Sequence, residues 1–141
     1  MFKKIVWATD GSDAADKALL YVEGLAKQDG ASVEVVHVVE YLVGGKLVEP
    51  LQVDEPELQQ KFEQQVEQLK SAGIDAQLKV VPGLQRVAAH AIAETAQEDG
   101  ADLIVVGTHG HSALGSLMLG SVTQRLLHIA HCPVFAVPVH D

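Results

Sequence analysis

Two stretches of the chain combine the residue types that handle a phosphate. Thr9-Asp10-Gly11-Ser12-Asp13 follows an apolar run with carboxylates, hydroxyls and a glycine. The segment GTHGHSALGSLMLGS, from Gly107 to Ser121, gathers Gly107, Gly110, Gly115 and Gly120 in one loop, and helical spacing resumes at Ser121. Glycines let a backbone curl around an anion, and a helix start adds unpaired N–H groups and a positive dipole end. Charge-assisted hydrogen bonds from such donors contribute on the order of 1.5–3 kcal/mol each, so a few of them offset repulsion from an acidic protein. Both stretches also have plainer readings. Ser121 could cap the helix, with Gln124 completing a capping box, and Asp10 could simply accept the backbone donors of the turn that follows it.

Known phosphate motifs narrow the chemistry. Gly115 and Gly120 have the G-x4-G spacing of a P-loop, but Ser121 stands where that motif needs its lysine, and no Lys or Arg occurs between Arg86 and Arg125. The first run leads into TDGSD and not G-x-G-x-x-G, which disfavours a nicotinamide-binding enzyme. His109 and His111 could serve a metal or act as a base, yet nothing acidic and no thiol lies beside them in sequence. His37, inside an apolar run, is expected to be a hydrogen-bonded core residue. Cys132 is the only cysteine, so an intramolecular disulfide and a cysteine-based metal site are both excluded, and burial is its expected fate.

The elements that must position these residues follow from periodicity. Apolar runs rich in β-branched residues, Lys4 to Thr9, Ser32 to Val39, Ala76 to Val81 and Asp102 to Val106, alternate with amphipathic stretches, and a fifth run spans Val134 to Val139. Ala14, Ala18, Val22 and Leu25 keep helical spacing, as do Leu58, Phe62, Val66 and Leu69, then Val87, Ala91, Ile92 and Ala96, then Val122, Leu126 and Ala130. Strands such as LIVVG, apolar without alternation, belong in a sheet covered on both faces. The prediction is an open five-stranded parallel sheet with helices on both faces, formed by residues 1–141 as one domain. Asp29-Gly30 and Asp99-Gly100 read as left-handed glycine caps on two helices. Glu40 to Val53, with Gly44-Gly45 and Pro50, reads as the longest irregular stretch. Ligands of such sheets bind beyond the carboxyl ends of the strands, where the winding reverses, and both phosphate-handling stretches fall there.

Composition excludes several classes. The 141 residues are 48% hydrophobic and 21% charged, the balance of a single globular domain and not of a disordered chain. A formal charge of −9 argues against wrapping nucleic acid or an anionic membrane by bulk electrostatics. The apolar run before Asp10 is too short for a signal-peptide core, and no later run approaches the ~18 residues of a membrane span. The expectation is a soluble, cytoplasmic protein with no membrane insertion and no nucleic-acid partner.

The opening KKIVWATDGS, the run VVHVV, the segment DLIVVGTHG, the spacing G-x2-G-x9-G-S at Gly107, Gly110, Gly120 and Ser121, and the ending HCPVFAVP together resemble the universal stress protein family over the whole chain. The resemblance implies a Rossmann-like strand order 3-2-1-4-5 and an adenine-nucleotide site for ATP, or AMP or ADP, with Mg or Mn accompanying the phosphates. Carried over by position, Gly107 and Gly110 approach the ribose and α-phosphate, with Thr108 and His109 between them in the binding set. Gly120, Ser121 and Val122 supply donors to the β- and γ-phosphates. Asp10 lies beside the nucleoside, Ala8 and Thr9 line the site, and Val38 reads the adenine edge through its backbone. Position 7, a small aliphatic residue in that family, is Trp7 here, which either refills the core or narrows the nucleoside pocket. The family's basic loop residues are replaced by His109, His111 and Ser116.

The leading functional expectation is an ATP-binding stress-response regulator, with no catalytic residues assigned. The alternatives are a slow nucleotide hydrolase or nucleotidyl-transfer enzyme using His109 or His111, and a structural dimer with an empty pocket. The run 133–139 should form an edge strand, where unpaired backbone groups beside apolar side chains favour an isologous homodimer, as the resemblance also implies. Pro133 and Pro138 are the opposing features, because neither has an N–H to donate.

Overall fold

The β-branched runs form strands wherever a neighbour completes their hydrogen bonds, and a computed structural model places them in one sheet. It describes residues 1–44, 47–50, 55–84, 88–108 and 120–138. In chain order the elements are β1 (Lys4–Ala8), α1 (Asp13–Asp29), β2 (Ser32–Gly44), β3 (Leu47–Pro50), α2 (Glu55–Ser71), β4 (Ala76–Leu84), α3 (Ala88–Glu98), β5 (Leu103–Gly107), α4 (Ser121–Ile129) and β6 (Val134–Val137). The parallel strands run β4-β2-β1-β5-β6, the expected order 3-2-1-4-5 when they alone are counted. The register sets Trp7 opposite Val35 on one side and Val105 on the other. Val105 in turn faces Phe135.

Successive side chains of a strand point to opposite faces, so each strand feeds two cores. Ile5, Trp7, Val33 and Val35 pack with Ala18, Leu19 and Val22 of α1 and Val66 and Leu69 of α2. Val6, Ala8, Val36 and Ile104 pack with Ala89, Ile92 and Ala93 of α3 and Leu126 of α4. Trp7 is fully buried, and its indole Nε1 donates to the Ala15 carbonyl at 3.2 Å. It therefore refills the core beneath α1. The glycine caps are as the sequence predicts: Gly30 (φ +68°) ends α1 and Gly100 (φ +71°) follows α3, both left-handed.

The stretch 40–53 departs from its irregular reading. β2 continues to Gly44, and Leu47–Pro50 pairs antiparallel with it, Val43 opposite Val48. The cause is backbone supply from neighbours. β4 runs on to Leu84, opposite Tyr41, and so keeps pairing β2 past Val39. Tyr41-Leu42-Val43 and Leu47-Val48 are strand-prone residues on either side of a glycine pair. No helix among the described residues is long and apolar enough to cross a membrane.

Candidate functional site

The winding reverses between β1 and β5: the chain builds outward from β1 through β2 to β4, then returns to β5 and continues to β6 on the other side. Adjacent parallel strands wound in opposite senses leave a crevice at their carboxyl ends. Ala8 and Gly107 end the two strands side by side there.

On the β1 side the turn is closed by its own side chains. The Thr9 amide donates to the Val36 carbonyl at 2.9 Å, and the Gly11 amide to Thr9 Oγ1 at 3.1 Å. The Ser12 amide donates to Asp10 Oδ1 at 2.9 Å, an Asx-turn. Ser12 then caps α1, its Oγ accepting from the Ala15 amide at 3.3 Å, and Asp13 and Asp16 add negative charge to the first turn. The plainer reading of Asp10 as acceptor for the following turn thus holds, and Asp10 is partly exposed just beyond the carboxyl end of β1. Gly11 is left-handed (φ +81°), so the backbone favours glycine, and a Cβ there would lie 2.5 Å from Leu58 Cδ2 of α2, an end group that would have to shift.

On the β5 side the helix start is open. α4 begins at Ser121, with Gly120 as its N-cap (φ −62°, ψ 154°) and no side-chain cap hydrogen bond. The reading of Ser121 as the cap is therefore corrected: Ser121 is the first helical residue and is exposed. The reason is tertiary, since the Gly120 amide is tied to the Thr108 carbonyl at 2.6 Å, fixing where the chain enters the helix. The Gly120 carbonyl accepts the first helical bond from the Gln124 amide at 3.0 Å, leaving the amides of Ser121, Val122 and Thr123 with no intrahelical acceptor. Thr123 Oγ1 donates to the Gly107 carbonyl at 2.8 Å, a second strut from α4 to the end of β5. This hydroxyl had no local signal in the sequence.

The expected residues among those described can now be placed. Ala8, Thr9 and Thr108 are buried at the strand ends, Asp10 and Gly120 are partly exposed, and Ser121 is exposed at the rim. Val122 and Val38 pack on the α3/α4 core. Gly83 gives Val38 its room, because a Cβ at Gly83 would lie 2.6 Å from Val38 Cγ1. Gly107 has a packing reason of its own: a Cβ there would lie 2.7 Å from both the backbone carbon and the Cβ of Ala14. His109 and Gly110 lie outside the described residues, as do His111, Gly115 and Ser116.

The residues under the β1–α1 turn were not legible as site residues. Lys61 of α2 reaches the Gly11 carbonyl at 2.9 Å and Asp16 Oδ2 at 2.7 Å. His37 Nδ1 meets the Thr9 carbonyl at 3.0 Å, and its ring packs at a tilt against Phe62 of α2. His37 is thus the hydrogen-bonded core residue the sequence predicts, located beneath the crevice.

Charged groups also collect at the opposite, amino end of the sheet. Glu34, 2% exposed, accepts from Gln77 Nε2 at 2.9 Å and lies 3.7 Å from Lys4 Nζ and 3.9 Å from Lys79 Nζ. Lys79 also pairs with Asp99 at 3.3 Å. Burial raises the Glu34 carboxyl above its ordinary value, and the neighbouring Asp99 adds to the shift. A hydrogen bond from Glu34, aided by Lys79, lowers Asp99. Burial also raises the half-buried Cys132 thiol, with Asp102 nearby, which disfavours a reactive thiolate.

Comparison with known proteins places this arrangement among relatives. Residues 1–138 match the model of the Universal stress protein family. A universal stress protein of Thermus aquaticus is 37% identical over 143 residues, covering 97% of this chain and 99% of its own. Among solved structures, protein MJ0577 of Methanocaldococcus jannaschii superposes with a TM-score of 0.82 at 25% identity, covering 100% of this chain and 99% of its own. A universal stress protein in complex with cAMP has a TM-score of 0.71 at 24% identity, covering 99% and 98%. The Archaeoglobus fulgidus protein in complex with dAMP has a TM-score of 0.70 at 23% identity, covering 97% and 98%.

Proposed function

The chain belongs to the universal stress protein family, and from that premise we propose that it is a regulator that binds an adenine nucleotide, with ATP as the ligand, in the crevice between β1 and β5. The observation that carries this reading is the start of α4. It stands at the reversal of winding with no side-chain cap among the described residues, and the amides of Ser121, Val122 and Thr123, which have no intrahelical acceptor, are its donors to an anion. Two structural relatives, in complex with cAMP and with dAMP, support an adenine ligand for this fold.

The residues fit the group. Ser121 adds an exposed hydroxyl to the amides, Asp10 offers a carboxylate to the nucleoside on the β1 side, and Ala8, Thr9 and the Val38 backbone line that half. Gly107, Thr108, His109 and Gly110 complete the proposed binding set. Bound nucleotide supplies a polyanion with its Mg or Mn counter-ion and a planar base, and the chain supplies donors fixed before the ligand arrives, which lowers the ordering cost of binding. The proposal is of binding without rapid turnover, because the loop lacks any Lys or Arg between Arg86 and Arg125 to neutralise a leaving phosphate.

A second element of the proposal is a homodimer through the edge strand. β6 pairs only with β5 among the described residues, and Phe135 on it is 38% exposed, in a tilted contact with Tyr21 of α1 with centroids 5.5 Å apart. Tyr21 is itself 46% exposed, so the exposed aromatic surface extends from strand to helix. Pro133 and Pro138 flank β6 and are not within it, which is consistent with pairing along Val134–Val137. The region expected as 133–139 narrows to Val134–Val137, with residue 139 outside the described residues.

Calorimetry with Mg-ATP on nucleotide-stripped protein tests the first element, with nucleotide extracted from fresh protein and identified by mass. Micromolar affinity, roughly −8 kcal/mol, is the expected result. No heat and no thermal shift at millimolar Mg-ATP would remove the reading in favour of a structural dimer. Rapid multiple-turnover phosphate release, lost in His109→Ala or His111→Ala, would move it to an enzyme. Sedimentation at high micromolar concentration tests the dimer, and a monomer there overturns it.

A further inference from the structure

The turn that presents Asp10 is held from below by a residue with no obvious link to a ligand. His37, 2% exposed, follows Val36, whose carbonyl takes the Thr9 amide. Its ring lies on Phe62 of α2 with centroids 4.6 Å apart, and Nδ1 is 3.0 Å from the Thr9 carbonyl oxygen. A carbonyl oxygen only accepts, so Nδ1 carries a proton and donates. Every polar group of Thr9 is then engaged: its amide by Val36, its hydroxyl by the Gly11 amide and its carbonyl by His37. Because a peptide unit is planar, holding the Thr9 oxygen also fixes the direction in which the Asp10 amide and Cα leave the strand.

We infer that His37 is a positioning residue of the nucleotide site: by holding the Thr9 carbonyl it sets the plane of the Thr9–Asp10 peptide, and so the place where Asp10 offers its carboxylate to the nucleoside. The inference rests on the reading of Asp10 as a nucleoside contact made above. His37 acts only through the turn. The surrounding struts are complementary: Lys61 holds the Gly11 carbonyl at 2.9 Å, and Leu58 and Phe62 crowd Gly11 from the same helix. The turn therefore rests on β2 and α2 together. A role as mere filling needs only a ring against Phe62, whereas positioning needs a donor at the δ position.

Asparagine carries an amide nitrogen near the place of Nδ1, and glutamine carries one near Nε2, so the two substitutions separate these roles. The experiment titrates Mg-ATP into the full chain as wild type, His37→Asn, His37→Gln, Asp10→Ala and the His37→Gln/Asp10→Ala double variant, with unfolding curves and amide spectra for each. His37→Gln is expected to lose affinity about 5- to 30-fold, and His37→Asn less than about 3-fold. In the Asp10→Ala background His37→Gln should cost nothing further, the non-additivity expected of one residue acting through another. The Gly11 and Ser12 amide resonances should move in His37→Gln without ligand.

Wild-type affinity in His37→Gln, or an equal loss in both backgrounds, overturns the inference. If His37→Gln does not fold, imidazole ¹⁵N spectra of the wild type decide it: a proton on Nδ1 supports the role, and a proton on Nε2 alone overturns it. Failure of the wild type to bind Mg-ATP, or undiminished binding by Asp10→Ala, instead strikes the underlying reading of the site.

Discussion

The two banks of the crevice are built on opposite plans. At the β1–α1 turn, Thr9, Asp10 and Ser12 all direct side-chain oxygens at backbone amides nearby in the chain, and Ser12 caps α1 through the Ala15 amide. At the start of α4 the N-cap is a glycine, the next residue is an exposed serine, and the struts from Thr123 and the Gly120 amide run back to β5. One helix start has a side-chain cap and acidic residues in its first turn, and the other is held in place from behind with no side-chain cap among the described residues. A capped, acidic helix start offers an anion less, because one donor is taken and the nearby carboxylates repel it. An uncapped one offers an anion several donors at once.

Making the open bank resemble the closed one should have the largest effect. Gly120→Asp puts a capping carboxylate at a position whose backbone (φ −62°, ψ 154°) any L-residue can adopt. It should leave stability unchanged or a few tenths of a kcal/mol higher, while its charge displaces the phosphates and lowers Mg-ATP affinity by roughly 100-fold or more. Because this glycine is not left-handed, Gly120→Val likewise tests ligand approach without backbone strain. Retained affinity in both variants would show that α4 does not face the ligand.

Gly107→Ala should come next. Its Cβ would press on the Ala14 backbone, where nothing flexible can yield, and overpacking of this kind costs about 1–3 kcal/mol. Chemical denaturation reads the loss directly, and an unchanged midpoint would mean that α1 and β5 separate readily.

The paired serines give the sharpest contrast at a smaller scale. Ser12→Ala removes a cap and should cost about 1 kcal/mol of stability. Ser121→Ala removes no cap, should stay within about 0.5 kcal/mol of the parent, and should weaken Mg-ATP binding several-fold. If both serines behave alike in denaturation and in calorimetry, the two banks do not differ in the way described.

The smallest effect lies away from the crevice and serves as its control. Glu34 is raised in the folded state, so its contribution to stability is present below its unfolded pKa and is lost as pH rises through the folded value. Asp99 is lowered, so its contribution is present above its unfolded pKa and is lost as pH falls through the folded value. Glu34→Gln keeps the shape and removes the first of these dependences. Thermal unfolding should show the wild type losing ground to Glu34→Gln as pH rises, with nucleotide affinity of the two remaining parallel. Parallel stability curves would mean that the carboxyl pair is not linked to folding.

Much of both banks was legible from local pattern. Asp10-Gly11 after an apolar run reads as a strand and a turn because those interactions span two or three residues, and the atoms involved meet in any compact fold, whereas the Ser12 cap on α1 is a finding of the structure. Lys61 could not be read that way, since it reaches a carbonyl 50 positions earlier and looks like any lysine on the polar face of a helix. The length of β2 was illegible for a related reason: Tyr41-Leu42-Val43 joins the strand because β4 lies alongside to pair with it.

The sequence by itself determined the alternation of strands and helices, the two-faced sheet, the left-handed glycine ends at Gly30 and Gly100, and the location of a crevice between the first and fourth apolar runs. These depend on side-chain period and on φ preferences, which are properties of neighbouring residues. Only the tertiary structure decided that Gly120 and not Ser121 caps α4, that Trp7 fills the core under α1, and that His37 and Lys61 hold up the turn bearing Asp10. Each of these turns on a hydrogen bond or a packing contact between distant segments, such as the Thr108 carbonyl that catches the Gly120 amide. Local preferences leave such choices nearly balanced, and a single long-range contact worth about 1 kcal/mol is enough to settle them.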